Sequence, residues 1–209
     1  MTITRAERIR EASRQRRQQR RENMQNMIHE EATRQLSERG YEGFSLREVA
    51  EGIGYAPTTI YRYFRDKDDL IFSLFETAFQ SFSAALDSAR QKHTHPTEQL
   101  EAIGRAYVQF ALDHPVQYRL LFMERGDLLS RLYERLKLAG NAYVGPMIVE
   151  EVVISGQNQG LFPPEVNPQY VASFLWAQVH GIASLGISCP DMFPTTVIEA
   201  SLCSLPKTF

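Results

Sequence analysis

Residues 44–70, FSLREVAEGIGYAPTTIYRYFRDKDDL, constrain the fold more than any other stretch, because they encode two short helices around a glycine-bearing turn. Ser45 followed three residues later by Glu48 has the form of a capping box, and Leu46, Val49 and Ala50 recur behind it at helical spacing. The first of the two helices is therefore expected to start at Ser45. Gly52 and Gly54 let the backbone turn tightly around Ile53, whose apolar side chain should point inward between the helices. Pro57 suits the first position of the second helix, where its missing N–H costs nothing. Ile60 and Phe64, four residues apart, form a buried stripe. Thr58, Thr59, Tyr61, Arg62 and Tyr63 are left over the remaining surface, five hydrogen-bonding side chains on a helix of two turns.

These residues resemble a known family. The span from about Ile28 to Leu74 is similar to the DNA-binding domain of TetR-type bacterial transcriptional regulators. Three elements carry the resemblance: the run GYEGFSLREVAEGIGY entering the turn, the segment TTIYRYF, and Lys67 followed by two acids and Leu70. Beyond Phe82 it rests on architecture and a few phrases such as WAQVHGIASLGI. The chain departs from the family pattern at Ala56, where a capping Ser or Thr is usual, and at Pro57 and Thr58, so no base preference carries over.

The resemblance implies an all-α protein of about nine helices: a basic N-terminal arm (1–21), a helix-turn-helix head (22–66) and a C-terminal regulatory and dimerisation domain (67–209). It implies a homodimer on a palindromic double-stranded DNA operator. It also implies a small-molecule effector whose binding in the second domain changes the separation of the two heads and lowers operator affinity.

Composition agrees with a folded, DNA-seeking chain. In 209 residues, 43% are hydrophobic, enough for a packed core. We find no apolar run approaching the ~20 residues needed to span a bilayer, and the N-terminus is polar rather than a signal peptide, so a cytoplasmic protein with no membrane partner is expected. Cys189 and Cys203 are then expected as reduced thiols. The net charge is only −2 but lopsided: residues 1–67 hold 14 Lys or Arg against 10 Asp or Glu, and the remainder 9 against 15. Residues 1–21 contain Arg5, Arg8, Arg10, Arg14, Arg16, Arg17, Arg20 and Arg21, opposed by Glu7 and Glu11 alone. Such an arm attracts polyanions in a salt-dependent way, with the minor groove as one place to lie. The alternatives are a solvated extension or a continuation of the first helix.

Punctuation sets the remaining helices. The spacing predicts a first helix over about 22–38 stopped by Gly40, a fourth over about 67–91 and a fifth over about 96–113. A short sixth follows to about 125, then a seventh over about 126–156 whose middle is weakened by Gly140, Gly145 and Pro146. An apolar eighth covers about 168–188, and a last helix opens at Pro194 and ends before Pro206. No strand signal or internal repeat is present.

Roles in the head follow from helix ends and from the resemblance. Lys67, in the first turn of its helix, combines its charge with exposed backbone N–H groups and is the leading phosphate ligand. Following the resemblance, Ser45, Arg47, Thr59 and Tyr63 contact the DNA backbone, which sets register rather than sequence. Base reading falls to Tyr55, Pro57 and Thr58, with Arg62 placed to bind a guanine in bidentate fashion. Tyr61 either contacts DNA or packs against a neighbouring helix.

In the C-terminal domain, Tyr107, Phe110, Tyr118, Phe122, Met123, Tyr143, Met147, Trp176 and His180 are the candidate pocket residues, apolar walls with a few polar anchors. The eighth helix is apolar nearly all round, which implies a partner. Val171, Phe174, Leu175, Gln178, Ile182 and Leu185, with Ile198 and Leu202 of the last helix, are the candidate seam of a four-helix dimer interface. No phosphate loop, nucleophile elbow or HExxH is present, so neither an enzyme nor a bound cofactor is expected. His93 and His95 are read as loop histidines rather than metal ligands. The competing reading is a DNA-binding regulator controlled by a protein partner, or by no effector. A cavity of several hundred cubic ångströms would favour a small molecule over it.

Overall fold

The computed structural model describes residues 4–138 and 145–204, and every regular element among them is helical. Ten α-helices succeed one another: α1 (Arg5–Arg39), α2 (Leu46–Gly52), α3 (Pro57–Ile60), α4 (Lys67–Arg90), α5 (Pro96–Asp113), α6 (Pro115–Arg119), α7 (Gly126–Leu138), α8 (Gly145–Asn158), α9 (Pro168–Ser188) and α10 (Thr195–Ser204). A π-helical turn, Leu120–Glu124, lies between α6 and α7. The chain divides into two compact units, residues 1–74 and 75–209.

In the first unit, α1 is much longer than its apolar periodicity predicts, because the arginine-rich run continues it upstream instead of preceding it as a separate arm. Thr4 caps it in a full capping box with Glu7, and Gln18 and Gln19 bond Glu22 and Asn23 one turn on. Gly40 ends it at φ +66°, with its N–H on the Leu36 carbonyl. The core gathers Ile28 and Ala32 of α1, Phe44, Leu46, Val49 and Ala50 around α2, Ile60 and Phe64 around α3, and Leu70 and Ile71 of α4, each under a tenth exposed. Ser45 caps α2 by accepting the Glu48 N–H at 3.2 Å. The reciprocal half differs from a capping box: the Glu48 carboxylate accepts from the Ser45 hydroxyl at 3.0 Å and binds Arg39 at 2.9 Å. Between α2 and α3, Gly54 adopts φ +75°, a conformation that glycine alone enters without strain.

In the second unit, α5, α8 and α9 pack on one another, and α10 lies against α5 and α9. The predicted seventh helix is two: α7 and α8 lie on either side of residues 139–144, and Pro146 sits in the first turn of α8, where a proline is tolerated. The segment 120–124 adopts the wider π-helical register, with Leu120 and Leu121 buried and Phe122 half-buried beside them. Asn167 caps α9 by accepting the Gln169 N–H at 2.9 Å. Contrary to the expectation from sequence, α9 is long and apolar enough to cross a bilayer, with 21 residues and no charged side chain. It nonetheless serves as a core helix, burying Val171, Ala172, Leu175, Val179, Ile182, Ala183 and Gly186 on one side.

Candidate DNA-reading surface and ligand cavity

The turn before α3, α3 itself and the turn residues 61–63 after it present the side chains that sequence reasoning assigned to reading DNA, the helix being one turn long rather than the two expected. Ile60 is fully buried and Phe64 nearly so, which fixes the orientation of this short helix and turns its other faces outward. Tyr55 is 42% exposed and Tyr61 56%; Thr58 and Arg62 are also exposed, and Pro57, Thr59 and Tyr63 are half-buried. Tyr61 therefore projects from the surface rather than packing. Ala56 stands at the N-cap without a side-chain bond, so the first N–H groups of α3 depend on other partners.

The cations around this surface differ in how committed they are. Arg47 is paired with Glu51 at 2.9 Å and Arg65 with Asp69 at 3.1 Å, whereas the Arg62 guanidinium has no hydrogen-bond or ionic partner among the described residues. Lys67 is engaged inside the head: its ammonium donates to the Tyr41 carbonyl and sits 4.1 Å from the centroid of the Tyr41 ring. The Tyr41 hydroxyl in turn donates to Asp68 at 2.7 Å, so Tyr41 and Lys67 tie the turn after α1 to the start of α4. This clamp was not visible in the sequence, where Lys67 read only as a phosphate ligand. Ser45 is half-buried with its hydroxyl committed to the α2 cap.

The second unit contains a cavity of about 490 Å³ lined mostly by apolar side chains of α4, α5, α8 and α9. Phe82 is the hub of its aromatic wall, with ring centroids 5.2 Å from each of Tyr107, Phe110 and Phe122, packed edge to face. Of the pocket candidates, Tyr107, Phe122, Met147 and Trp176 line the space. Phe110 and Tyr118 are core residues outside the lining, Met123 is 46% exposed outside it, and Tyr143 lies outside the described residues. Sequence reasoning missed Phe79, Leu100, Ile103, Phe162, Ala172 and Val179 as lining residues. Apolar periodicity marks such residues as inward-facing without telling a filled core from a hole. Leu175, assigned to a dimer seam, also lines the cavity.

A polar chain runs into the wall behind the cavity. Trp176 Nε1 donates to the Tyr107 hydroxyl at 3.1 Å, the Tyr107 and Tyr118 hydroxyls lie 3.4 Å apart, and the Tyr118 hydroxyl is 2.6 Å from His180 Nδ1. Burial pushes the Tyr107 phenol up to about 12 and holds His180 below its ordinary value, so near neutral pH the imidazole is uncharged and one of its ring nitrogens is free to accept a hydrogen bond. His180 Nδ1 also lies 3.3 Å from the Tyr107 hydroxyl, so the imidazole supports Tyr107 from behind and is not in the lining itself.

The seam candidates of α9 and α10 divide. Val171, Leu175, Ile182, Ile198 and Leu202 are buried within the chain, and Gln178 is half-buried with its Oε1 unpartnered among the described residues. Phe174 and Leu185 are exposed at 44% and 46% on a face that also carries Tyr170, at 74%, and Ala177.

Residues 28–74 match the bacterial regulatory proteins of the tetR family, and residues 100–200 match the tetracyclin repressor-like C-terminal domain. Among solved structures, the chain is similar to the fatty acid degradation regulator FadR from Bacillus halodurans, with 20% identity and a TM-score of 0.72 over 87% of this chain and 93% of that one. It is also similar to FadR from Bacillus subtilis in complex with stearoyl-CoA, with 17% identity and a TM-score of 0.73 over 88% and 98%. A third similar structure is PfmR, a TetR family regulator from Thermus thermophilus, with 20% identity and a TM-score of 0.66 over 85% and 94%. A helix-turn-helix head joined in one chain to this helical domain, with both parts matched in order, identifies the protein as a DNA-binding transcriptional regulator that belongs to the TetR family.

Proposed function

We propose that the protein is a cytoplasmic homodimeric repressor that binds a palindromic operator and releases it when a small apolar molecule occupies the cavity of the second unit. The observation that carries the effector half of this reading is the cavity itself. A domain controlled only by a protein partner has no need of about 490 Å³ of unfilled, mostly apolar space, and maintaining it forfeits dispersion contacts that a filled core would gain. The DNA half is supported by the outward presentation of Tyr55, Thr58, Tyr61 and Arg62, and by the absence of an internal partner for the Arg62 guanidinium among the described residues. In this division of labour Arg62 reads a guanine, Tyr55, Pro57 and Thr58 contact neighbouring bases, and Ser45, Arg47, Thr59, Tyr63 and Lys67 hold the phosphates. Lys67 exchanges part of its internal clamp for a phosphate.

The homodimer is supported by the face of α9 that carries Tyr170, Ala177 and Leu185, an apolar surface that is exposed among the described residues. Two copies meeting there would give the two-fold symmetry a palindromic site requires. Light scattering on the eluted full chain should give twice the 24.0 kDa monomer mass at micromolar concentration.

The experiment that tests the whole reading is operator release. A duplex selected from a random pool is bound, then titrated with stearic acid, stearoyl-CoA and an uncharged polycyclic aromatic. Release by at least one of the three, lost when Ala172 is enlarged to Leu, is the expected result. A complex unaffected by all three, with none binding in calorimetry, would favour control by a protein partner or by no effector.

A further inference from the structure

The arginine run that opens the chain lies ahead of the family-matched residues 28–74, and its structure is more specific than a charged tail. It is the first half of α1, one continuous helix from Arg5 to Arg39. At 3.6 residues per turn, Arg10, Arg14, Arg17 and Arg21 fall within an arc of about 60° and span about 16 Å of helix axis. All four are exposed, and none of their guanidinium groups has a hydrogen-bond or ionic partner among the described residues. The two nearby acids are occupied, Glu7 by the Thr4 cap and Glu11 by Gln15 at 3.5 Å. Ile28 and Ala32, both fully buried in the head, lie in the same arc further along the helix. The face that packs inside the head thus becomes, upstream, a row of unneutralised guanidinium groups.

We infer that Arg10, Arg14, Arg17 and Arg21 form a phosphate-binding rail that grips duplex DNA outside the bases read by the head. The inference rests on the reading of the head as a DNA binder. Two like-charge pairs at i,i+4, Arg10 with Arg14 and Arg17 with Arg21, oppose the helix they stand on, and phosphate oxygens relieve that repulsion. A helix with side chains is about 10–12 Å across and the minor groove about 6 Å wide, so the rail lies along the phosphate backbone rather than in the minor groove expected of a flexible arm. A membrane surface fits poorly, because between Arg5 and Asn23 the only apolar residues are Ala6, Ile9 and Ala12, too few for the buried face an interfacial helix needs.

The test uses the full chain, a duplex selected by the wild type, and the quadruple variant Arg10→Gln, Arg14→Gln, Arg17→Gln, Arg21→Gln. Glutamine keeps helix propensity, and circular dichroism checks that helix content is retained. The salt dependence of log affinity should become shallower by about three to four, close to 0.9 for each phosphate no longer neutralised, while the ratio of specific to non-specific affinity stays within about threefold. The off-rail double variant Arg16→Gln, Arg20→Gln should change the slope by less than one. An unchanged slope in the quadruple variant overturns the rail, as does an equal loss per charge in the off-rail variant. So does a loss confined to duplex RNA or anionic vesicles. If the wild type selects no duplex at all, it is the reading of the head that fails.

Discussion

The two units of this chain solve opposite packing problems with similar material. In the head, small and aliphatic side chains close completely: Ile28, Ala32, Val49, Ala50, Ile60, Leu70 and Ile71 are all fully buried, and the aromatic residues Tyr55 and Tyr61 are turned outward. In the second unit one cluster of aromatics turns inward, with Phe82 packed edge to face on both Tyr107 and Phe122 beside about 490 Å³ of space they do not fill. Edge-to-face rings hold one another at fixed separations and prop a cavity open, whereas branched aliphatic chains interdigitate and collapse it. A unit that must present a rigid surface is filled, and a unit read here as admitting a ligand is not.

The largest test of this contrast is the same substitution made on both sides. Ala50→Leu adds three carbons to a closed interior and should destabilise the head by about 1–3 kcal/mol, read from regional hydrogen exchange. Ala172→Leu adds them to the cavity and should be neutral or stabilising by up to about 2 kcal/mol. Equal costs at the two sites would mean that the cavity is not open space. Next in size, Arg62→Ala should relax preference at one operator position by about 1–3 kcal/mol, measured by competition with single-base variants, and leave head stability unchanged because the Arg62 guanidinium has no internal partner among the described residues.

Lys67→Met should do the reverse. It removes the donor to the Tyr41 carbonyl and the cation over the Tyr41 ring, so the DNA-free head should lose about 1 kcal/mol while affinity falls for all duplexes alike. A loss of affinity with no change in stability would make the clamp incidental.

The smallest effect concerns pH. His29 in the head and His180 in the second unit are both held below their ordinary value of 6.5 by burial. The unfolded chain then binds more protons than the folded one near that value, so stability is complete at higher pH and declines as pH falls through about 6.5. Thermal midpoints should drop between pH 7.5 and pH 5.5, and His180→Gln should weaken that dependence. A midpoint that rises on acidification would refute the assignment.

How much of this was legible beforehand follows the range of the signals. The head could be read from sequence because caps, turn glycines and a proline act over three or four residues, as Ser45, Gly54 and Pro57 do. The reach of α1 was not legible: Arg and Gln are good helix formers but leave no apolar period to follow. Nor was the role of Lys67, whose partner Tyr41 lies 26 residues earlier. In the second unit, sequence spacing put Tyr107, Phe122 and Trp176 together. It could not tell Phe110, packed in the core outside the lining, from Phe122 in the wall, because both have helical spacing and only the tertiary arrangement decides which faces the space.

The measurement that bears most directly on the account is selection of bound sequences from a random duplex pool by the full chain at low ionic strength. The account predicts enrichment of a two-fold symmetric site with half-sites a whole number of helical turns apart, and loss of preference at one position of each half-site with Arg62→Ala. Binding with no sequence enriched over competitor DNA would contradict it.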